Sequence, residues 1–220
     1  MATQDNKNSI ANNPFFNDYS TPHNTVPFHL IKLEHYEEAF MEGMKREKEE
    51  LDKIINNEDP TFDNTIIYKD ETKGEHYYDL LGRASTVFSC MLGAETNDDL
   101  DALAQKMSPL LTQHANDMQL NEKLFKRIKH VYEHHRELTP EEATLLQKVY
   151  DGFVRSGALL NEEGKEQFRR LSEEASLLSL QFSQNLLKEN KAFELHLTNE
   201  EDLDGLPESA RQMAAHTAQE

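Results

Sequence analysis

The residues best spaced for chemistry are His130-Val131-Tyr132-Glu133-His134. Two imidazoles four positions apart on a helix share one face and could hold a single metal ion. A glutamate between them could take the proton of a metal-bound water. A third ligand would have to come from elsewhere, and Glu208 is conceivable by spacing alone. The surrounding helix opposes a catalytic role. At about 100° per residue, Leu124, Phe125, Ile128, Val131 and Tyr132 cluster around one direction. His130 and His134 point more than about 120° away from it, beside Arg127, onto a face expected to meet solvent. A catalytic metal needs a shaped, partly dry cavity with supporting hydrogen bonds, which such a face does not supply.

Other constellations carry less. The remaining histidines show no metal-ligand spacing, and His35 beside Tyr36 reads as a packed or capping residue. The sequence holds no H-E-x-x-H, no phosphate-binding G-x-x-x-x-G-K-S/T and no G-x-S-x-G elbow. The acidic pairs Asp98-Asp99 and Glu141-Glu142 sit in first helical turns, where the helix dipole accounts for them. The single cysteine, Cys90, excludes a disulfide framework, and its neighbours Val87, Phe88 and Met91 predict a buried thiol. No catalytic, cofactor-binding or metal-binding residue is therefore assigned within the chain.

The elements that would position these residues are helical. Twenty-three basic and 41 acidic side chains leave a formal charge of −18. That balance argues against a nucleic-acid module and against a polybasic membrane anchor. Eight glycines and seven prolines in 220 residues are too few for a turn-rich β fold. No stretch reaches the roughly 20 apolar residues of a membrane span, and the start lacks the apolar run of a secretory signal, so a cytoplasmic setting is expected.

Residues 1–13 read as a disordered lead-in, and 14–33, with Asn13-Pro14-Phe15 and Val26-Pro27-Phe28 in or beside it, as an extended arm strapped to a helical surface. A helical domain follows over 34–192. Its first helix spans about Glu34–Asn56. A second is expected from Asp63 or Asn64 to about Glu95, about 45 Å if unbroken, with Gly74 and Gly82 as points of bending. Asn97 caps a third to Gln119, with a kink or break at Pro109. Asn121 caps a fourth, with Leu124, Ile128, Val131 and His135 on its inner stripe. Thr139-Pro140-Glu141-Glu142 is a capping box opening a fifth, which Gly157 closes. Asn161 caps a sixth to about Lys191, with Phe168, Leu171, Ala175, Leu178, Phe182 and Leu186 as its core stripe. Over 193–220, Phe193–Leu197 alternates as a strand, and a final helix begins near Glu208 and is still amphipathic at Glu220, as though incomplete.

Several stretches together resemble the amino-terminal region of the thimet-oligopeptidase family of zinc metallopeptidases, most of all its bacterial peptidyl-dipeptidase members, with oligopeptidase A next. They are Asn13-Pro14-Phe15, Val26-Pro27-Phe28, His35-Tyr36-Glu37-Glu38-Ala39-Phe40 and Thr61-Phe62-Asp63-Asn64-Thr65-Ile66. The series continues through Ala94-Glu95-Thr96-Asn97-Asp98-Asp99-Leu100, Phe153-Val154-Arg155-Ser156-Gly157-Ala158, Gln181-Phe182-Ser183-Gln184-Asn185 and Asp204-Gly205-Leu206-Pro207. The order carries the likeness, from about residue 13 onward. The resemblance implies an all-α fold of long antiparallel helices, the amino-terminal helical region of a neurolysin-like zincin peptidase, forming one wall of a channel for short unfolded peptides. It implies zinc on H-E-x-x-H and a downstream glutamate in the catalytic half of the same polypeptide, with no counterpart here. The chain alone is then expected to be inactive, to lack a metal of its own, and to expose an apolar face that docks on that half or drives self-association. Two alternatives stand beside it: a free-standing helical interaction module, and a zinc hydrolase using His130, Glu133 and His134.

Overall fold

A computed structural model describes residues 12–68 and 80–219. The chain divides into two compact units, Met1–Gln181 and Phe182–Glu220. Among the described residues every regular element is helical: α1 (Leu33–Ile55), the one-turn α2 (Phe62–Thr65), α3 (Leu80–Ala94), α4 (Asp98–Gln119), α5 (Glu122–His134), α6 (Pro140–Arg155), α7 (Glu162–Ala192) and α8 (Glu208–Thr217). The all-α class expected from composition and periodicity is what forms.

The caps are where the sequence puts them. Asn97 Oδ1 accepts from Leu100 N at 3.0 Å and Asn121 Oδ1 from Leu124 N at 3.0 Å. Asn161 Oδ1 accepts from Gly164 N at 2.8 Å. Thr139 and Glu142 exchange side-chain bonds with each other's backbone N–H, with Pro140 at the first helical position. Each satisfies donors that the first turn leaves without intrahelical partners. Gly157, at φ +89°, follows α6 in the left-handed conformation that a side chain would strain. His35 does serve as a cap: its Nδ1 accepts from Lys32 N at 3.1 Å.

In the first unit, α1 is the central element, packed on α3 and α4. Its apolar stripe, Tyr36, Ala39, Phe40 and Met44, meets Leu80, Ala84, Val87 and Phe88 of α3 and Leu100, Leu103, Ala104 and Met107 of α4. The Tyr36 and Phe88 rings lie 5.1 Å apart, and Phe40 meets Phe88 edge-on at 5.4 Å. Both arrangements let a ring edge approach a neighbouring ring face, which the aromatic quadrupole favours. Gly43 lets α1 and α3 approach closely: a Cβ there would lie 2.9 Å from Leu81 Cβ. A second core joins Leu51 of α1 to Leu124 and Ile128 of α5, with Val149 and Phe153 of α6 against it. A third gathers Phe62, Val131 and Leu146.

The arm over 14–33 consists of three 3₁₀ turns, Pro14–Phe16, Pro22–Asn24 and Phe28–Leu30. Phe15 is fully buried in the main core. Asn13, placed in the lead-in by sequence, is fully buried as well. Its Nδ2 donates to His35 O at 2.9 Å and Glu38 Oε2 at 3.1 Å, while its Oδ1 accepts from Phe15 N. The arm begins at Asn13, because that side chain satisfies the polar backbone entering the core. Residues 1–11 lie outside the described residues.

Several expectations are corrected. The expected helix is interrupted near its start: α2 closes after one turn, with Ile66 N and Ile67 N both reaching Phe62 O at 2.9 and 3.3 Å, and residues 69–79 lie outside the described residues. Gly74 lies outside the described residues, and α3 runs through Gly82. α4 passes Pro109 without interruption, since Met107 before it and His114 after it are both held in buried positions. Cys90 is exposed; at about 100° per residue it lies about 60° beyond Val87, on the side away from Phe88, and so leaves the buried arc. His135 is exposed because α5 ends at His134. Residues 193–198 form neither helix nor ladder, because an alternating segment needs a partner strand for its hydrogen bonds. α8 closes at Thr217, with Ala218 N bonded to Ala214 O at 3.0 Å.

The largest correction concerns α7. In the first unit, Leu171 is 50% and Leu178 57% exposed; in the second unit, Phe182 is 71% exposed. The only buried residue of this helix is Lys165. Of the expected stripe Phe168 is part-buried, whereas Leu171, Ala175, Leu178, Phe182 and Leu186 are exposed.

Candidate functional site

The motif His130–His134 occupies the last turn of α5. Leu124, Phe125, Ile128 and Val131 are buried on its inner side, and both histidines are exposed, as the helical projection requires. Their rings stack at 4.7 Å between centroids and 23° between planes. His134 Nδ1 lies 3.2 Å from His130 O. Glu133 is exposed and forms an ion pair with Lys129 at 3.8 Å, so it does not face the two imidazoles as a poised base. No group of three or more metal-ligating side chains occurs among the described residues. Glu208 opens α8 in the second unit. Among the described residues no third ligand joins the two histidines, and their exposed face lacks the enclosure that a catalytic metal requires.

Arg127, grouped with the solvent face by sequence, is buried instead. Its Nη1 donates to Asn57 O at 3.2 Å and Glu58 O at 2.9 Å, and its Nη2 to Asn64 Oδ1 at 2.9 Å and Thr65 Oγ1 at 3.2 Å. Burial lowers its pKa, and the nearby Asp59 carboxylate opposes that shift. The guanidinium fork fits the carbonyls that follow the end of α1, so a long charged side chain becomes the tie between α5 and the α1–α2 link.

The other polar clusters also join helices. His114, 4% exposed, has its Nε2 2.6 Å from Glu47 Oε2, linking α4 to α1. Lys165 Nζ reaches Glu122 at 2.8 Å and Glu162 at 3.0 Å, fastening the start of α7 to the start of α5. Hydrogen bonding from Lys165 lowers the Glu122 pKa, and the same bond raises that of Lys165. Ser176 of α7 bonds Ser108 at 2.6 Å and Thr112 at 2.9 Å on α4, a hydroxyl cluster whose bonds are to one another. An open groove of about 410 Å³ between α1 and α4 is lined by Met41, Met44, Leu110 and His114, with Lys48 and Asp52 among its polar residues. None of these clusters pairs a nucleophile with a base or converges on a reacting position. Sequence reading did not find Arg127, His114 or Lys165. Their only sequence signal is a polar residue inside a helical segment, which is also the signature of a solvated face.

No family model matches the chain. Dipeptidyl carboxypeptidase of Escherichia coli K12 is 35% identical over 211 residues, 94% of this chain and 30% of that protein. Its counterpart in Salmonella typhimurium is 33% identical over 96% of the chain and 31% of its own length. Oligopeptidase A of Haemophilus influenzae is 27% identical over 94% of the chain and 29% of its own length. The chain thus spans about 30% of the length of these curated relatives. No described helix is long and apolar enough to cross a membrane. Through nearly all of its sequence the chain is similar to a part of these dipeptidyl carboxypeptidases and, at lower identity, to a part of oligopeptidase A.

Proposed function

We propose that the chain is the amino-terminal portion of a zinc-dependent oligopeptidase of peptidyl-dipeptidase type, cytoplasmic and acting on short unfolded peptides. In this reading it forms one wall of the substrate channel and restricts access, while zinc and the catalytic residues belong to another part of the same polypeptide. The observation that carries the reading is the proportion of the match: 94% of this chain aligns with only 30% of a dipeptidyl carboxypeptidase. The absence of H-E-x-x-H from all 220 residues supports the same reading. So does the apolar face of α7, whose Leu171 and Leu178 carry the pattern of a buried stripe yet stand half exposed. A helix that keeps such a stripe is shaped to be covered.

The test is a peptide-cleavage assay on the purified chain with zinc supplied. No turnover is expected. Chelator-sensitive hydrolysis by this chain alone would overturn the reading.

A further inference from the structure

The segment between α7 and the turn that precedes α8 keeps an alternating sequence with no strand beside it. Residues 193–198 belong to no helix and no ladder among the described residues. Phe193, Leu195 and Leu197 are all exposed, the first two at 75% and 70%. Glu194 and His196 between them are exposed as well, and His196 Nε2 lies 3.0 Å from Glu194 Oε2. A carboxylate only accepts, so this nitrogen carries the proton. A contact between side chains two positions apart puts both on one side of the chain, as in a strand. The three apolar side chains then share the other side.

The order Phe-Glu-Leu-His-Leu is complementary to its own reverse. Laid antiparallel to a second copy with Leu195 opposite Leu195, Phe193 faces Leu197, and Glu194 faces His196 twice over. Other registers lose this. A slip of one residue sets apolar side chains against polar ones. An antiparallel shift by two sets Glu194 against Glu194 in one direction and His196 against His196 in the other. Parallel pairing in register sets like against like throughout, and directly opposed like charges destabilise a strand pair. One register alone serves both the apolar face and the charged one.

We infer that residues 193–198 form an antiparallel two-stranded contact between two copies of this chain, with the two-fold axis at Leu195. The contact is isologous, so every pair occurs twice except the one on the axis. Two strands alone are marginal in water, which makes the dimer a weak one.

The test is sedimentation equilibrium of the 220-residue chain under reducing conditions, up to about 1 mM. A reversible dimer is expected. Leu195→Pro removes a ladder donor at the centre and is expected to abolish it. Glu194→Lys is expected to weaken it about threefold to tenfold, and Glu194→Lys combined with His196→Glu to restore it, because the pair is then only exchanged. Circular dichroism checks that each variant keeps its helices. Disulfide formation reads the register, in a Cys90→Ser background because Cys90 is itself exposed. Leu195→Cys is expected to cross-link two copies. Phe193→Cys is not, because the two positions would lie about 13 Å apart along the strands, beyond the roughly 7 Å reach of a disulfide. A monomer at every concentration, a dimer unchanged by Leu195→Pro, a charge exchange that fails to restore association, or equal cross-linking at 193 and 195 would overturn the inference.

Discussion

Replacing Gly43 by alanine tests whether the α1–α3 contact is as close as the structure has it. The new Cβ would sit 2.9 Å from Leu81 Cβ and 3.0 Å from Leu81 Cα and N. Carbon atoms are comfortable at about 3.5–4.0 Å, so the helices must part by about half an ångström or more. Two of the three atoms met are backbone, which no change of rotamer can move aside. Overpacking of this kind costs about 1–3 kcal/mol. Against it stands the helix propensity of alanine over glycine, about 1 kcal/mol. The net expectation is destabilisation by about 0–2 kcal/mol, or a fall in Tm of up to about 8 °C for a chain of this size. Gly152→Ala is the matched control, since it lies inside α6 with nothing within 4 Å of its added Cβ. Only the propensity gain acts there, about 0.5–1 kcal/mol of stabilisation. Urea unfolding of both variants, with equal slopes required, separates them by about 1–3 kcal/mol, the overpacking cost, because the propensity gain is common to both. A Gly43→Ala variant stabilised as much as Gly152→Ala would refute the close approach.

Three further outcomes are expected. Arg127→Met should destabilise by about 2–4 kcal/mol, read by urea midpoint, because it strands the Asn57 and Glu58 carbonyls at a buried tie. A loss below about 0.5 kcal/mol, the range of an ordinary surface change, would contradict the buried role. Glu142 has its pKa lowered, first by the hydrogen bond from Arg136 and then by the Thr139 N–H. The folded value lies below the unfolded one, so its stabilisation is complete above the unfolded pKa of about 4.3 and is lost as pH falls through the folded pKa. Acid titrations of wild type and Glu142→Gln should therefore converge at the low-pH end, and curves that stay parallel would count against it. Leu178, 57% exposed, supplies the last test. Leu178→Gln should change the stability of this chain by no more than about 0.5 kcal/mol. A loss above about 1.5 kcal/mol, the scale of a fully buried leucine, would mean that α7 is covered on this face.

Much of the helical framework was legible because helix starts are local events. Asn97, Asn121, Thr139 and Asn161 each satisfy N–H groups two or three residues away, so residue type and spacing suffice to place them. The α1 stripe was legible for a similar reason: Tyr36, Phe40 and Met44 repeat at helical spacing and are buried. The same logic failed on α7, where periodicity reports which face is apolar but not whether anything covers it. It failed again after Ile66, where apolar spacing gave no sign that α2 ends after one turn.

The candidate site divides the same way. Sequence sufficed to send His130 and His134 outward, since their angle to Val131 and Ile128 is fixed by helix geometry. It could not place Arg127, whose partners are carbonyls about 70 positions away in the chain. Sequence sufficed for the all-α class, the helix starts and the ordered motifs shared with the peptidases. The tertiary structure alone decided which polar side chains are interior, that Asn13 and Phe15 anchor the arm, and that the α7 stripe is exposed from Leu171 onward. The physical reason is range: capping and periodicity act within one or two turns, whereas burial depends on surfaces supplied by distant segments.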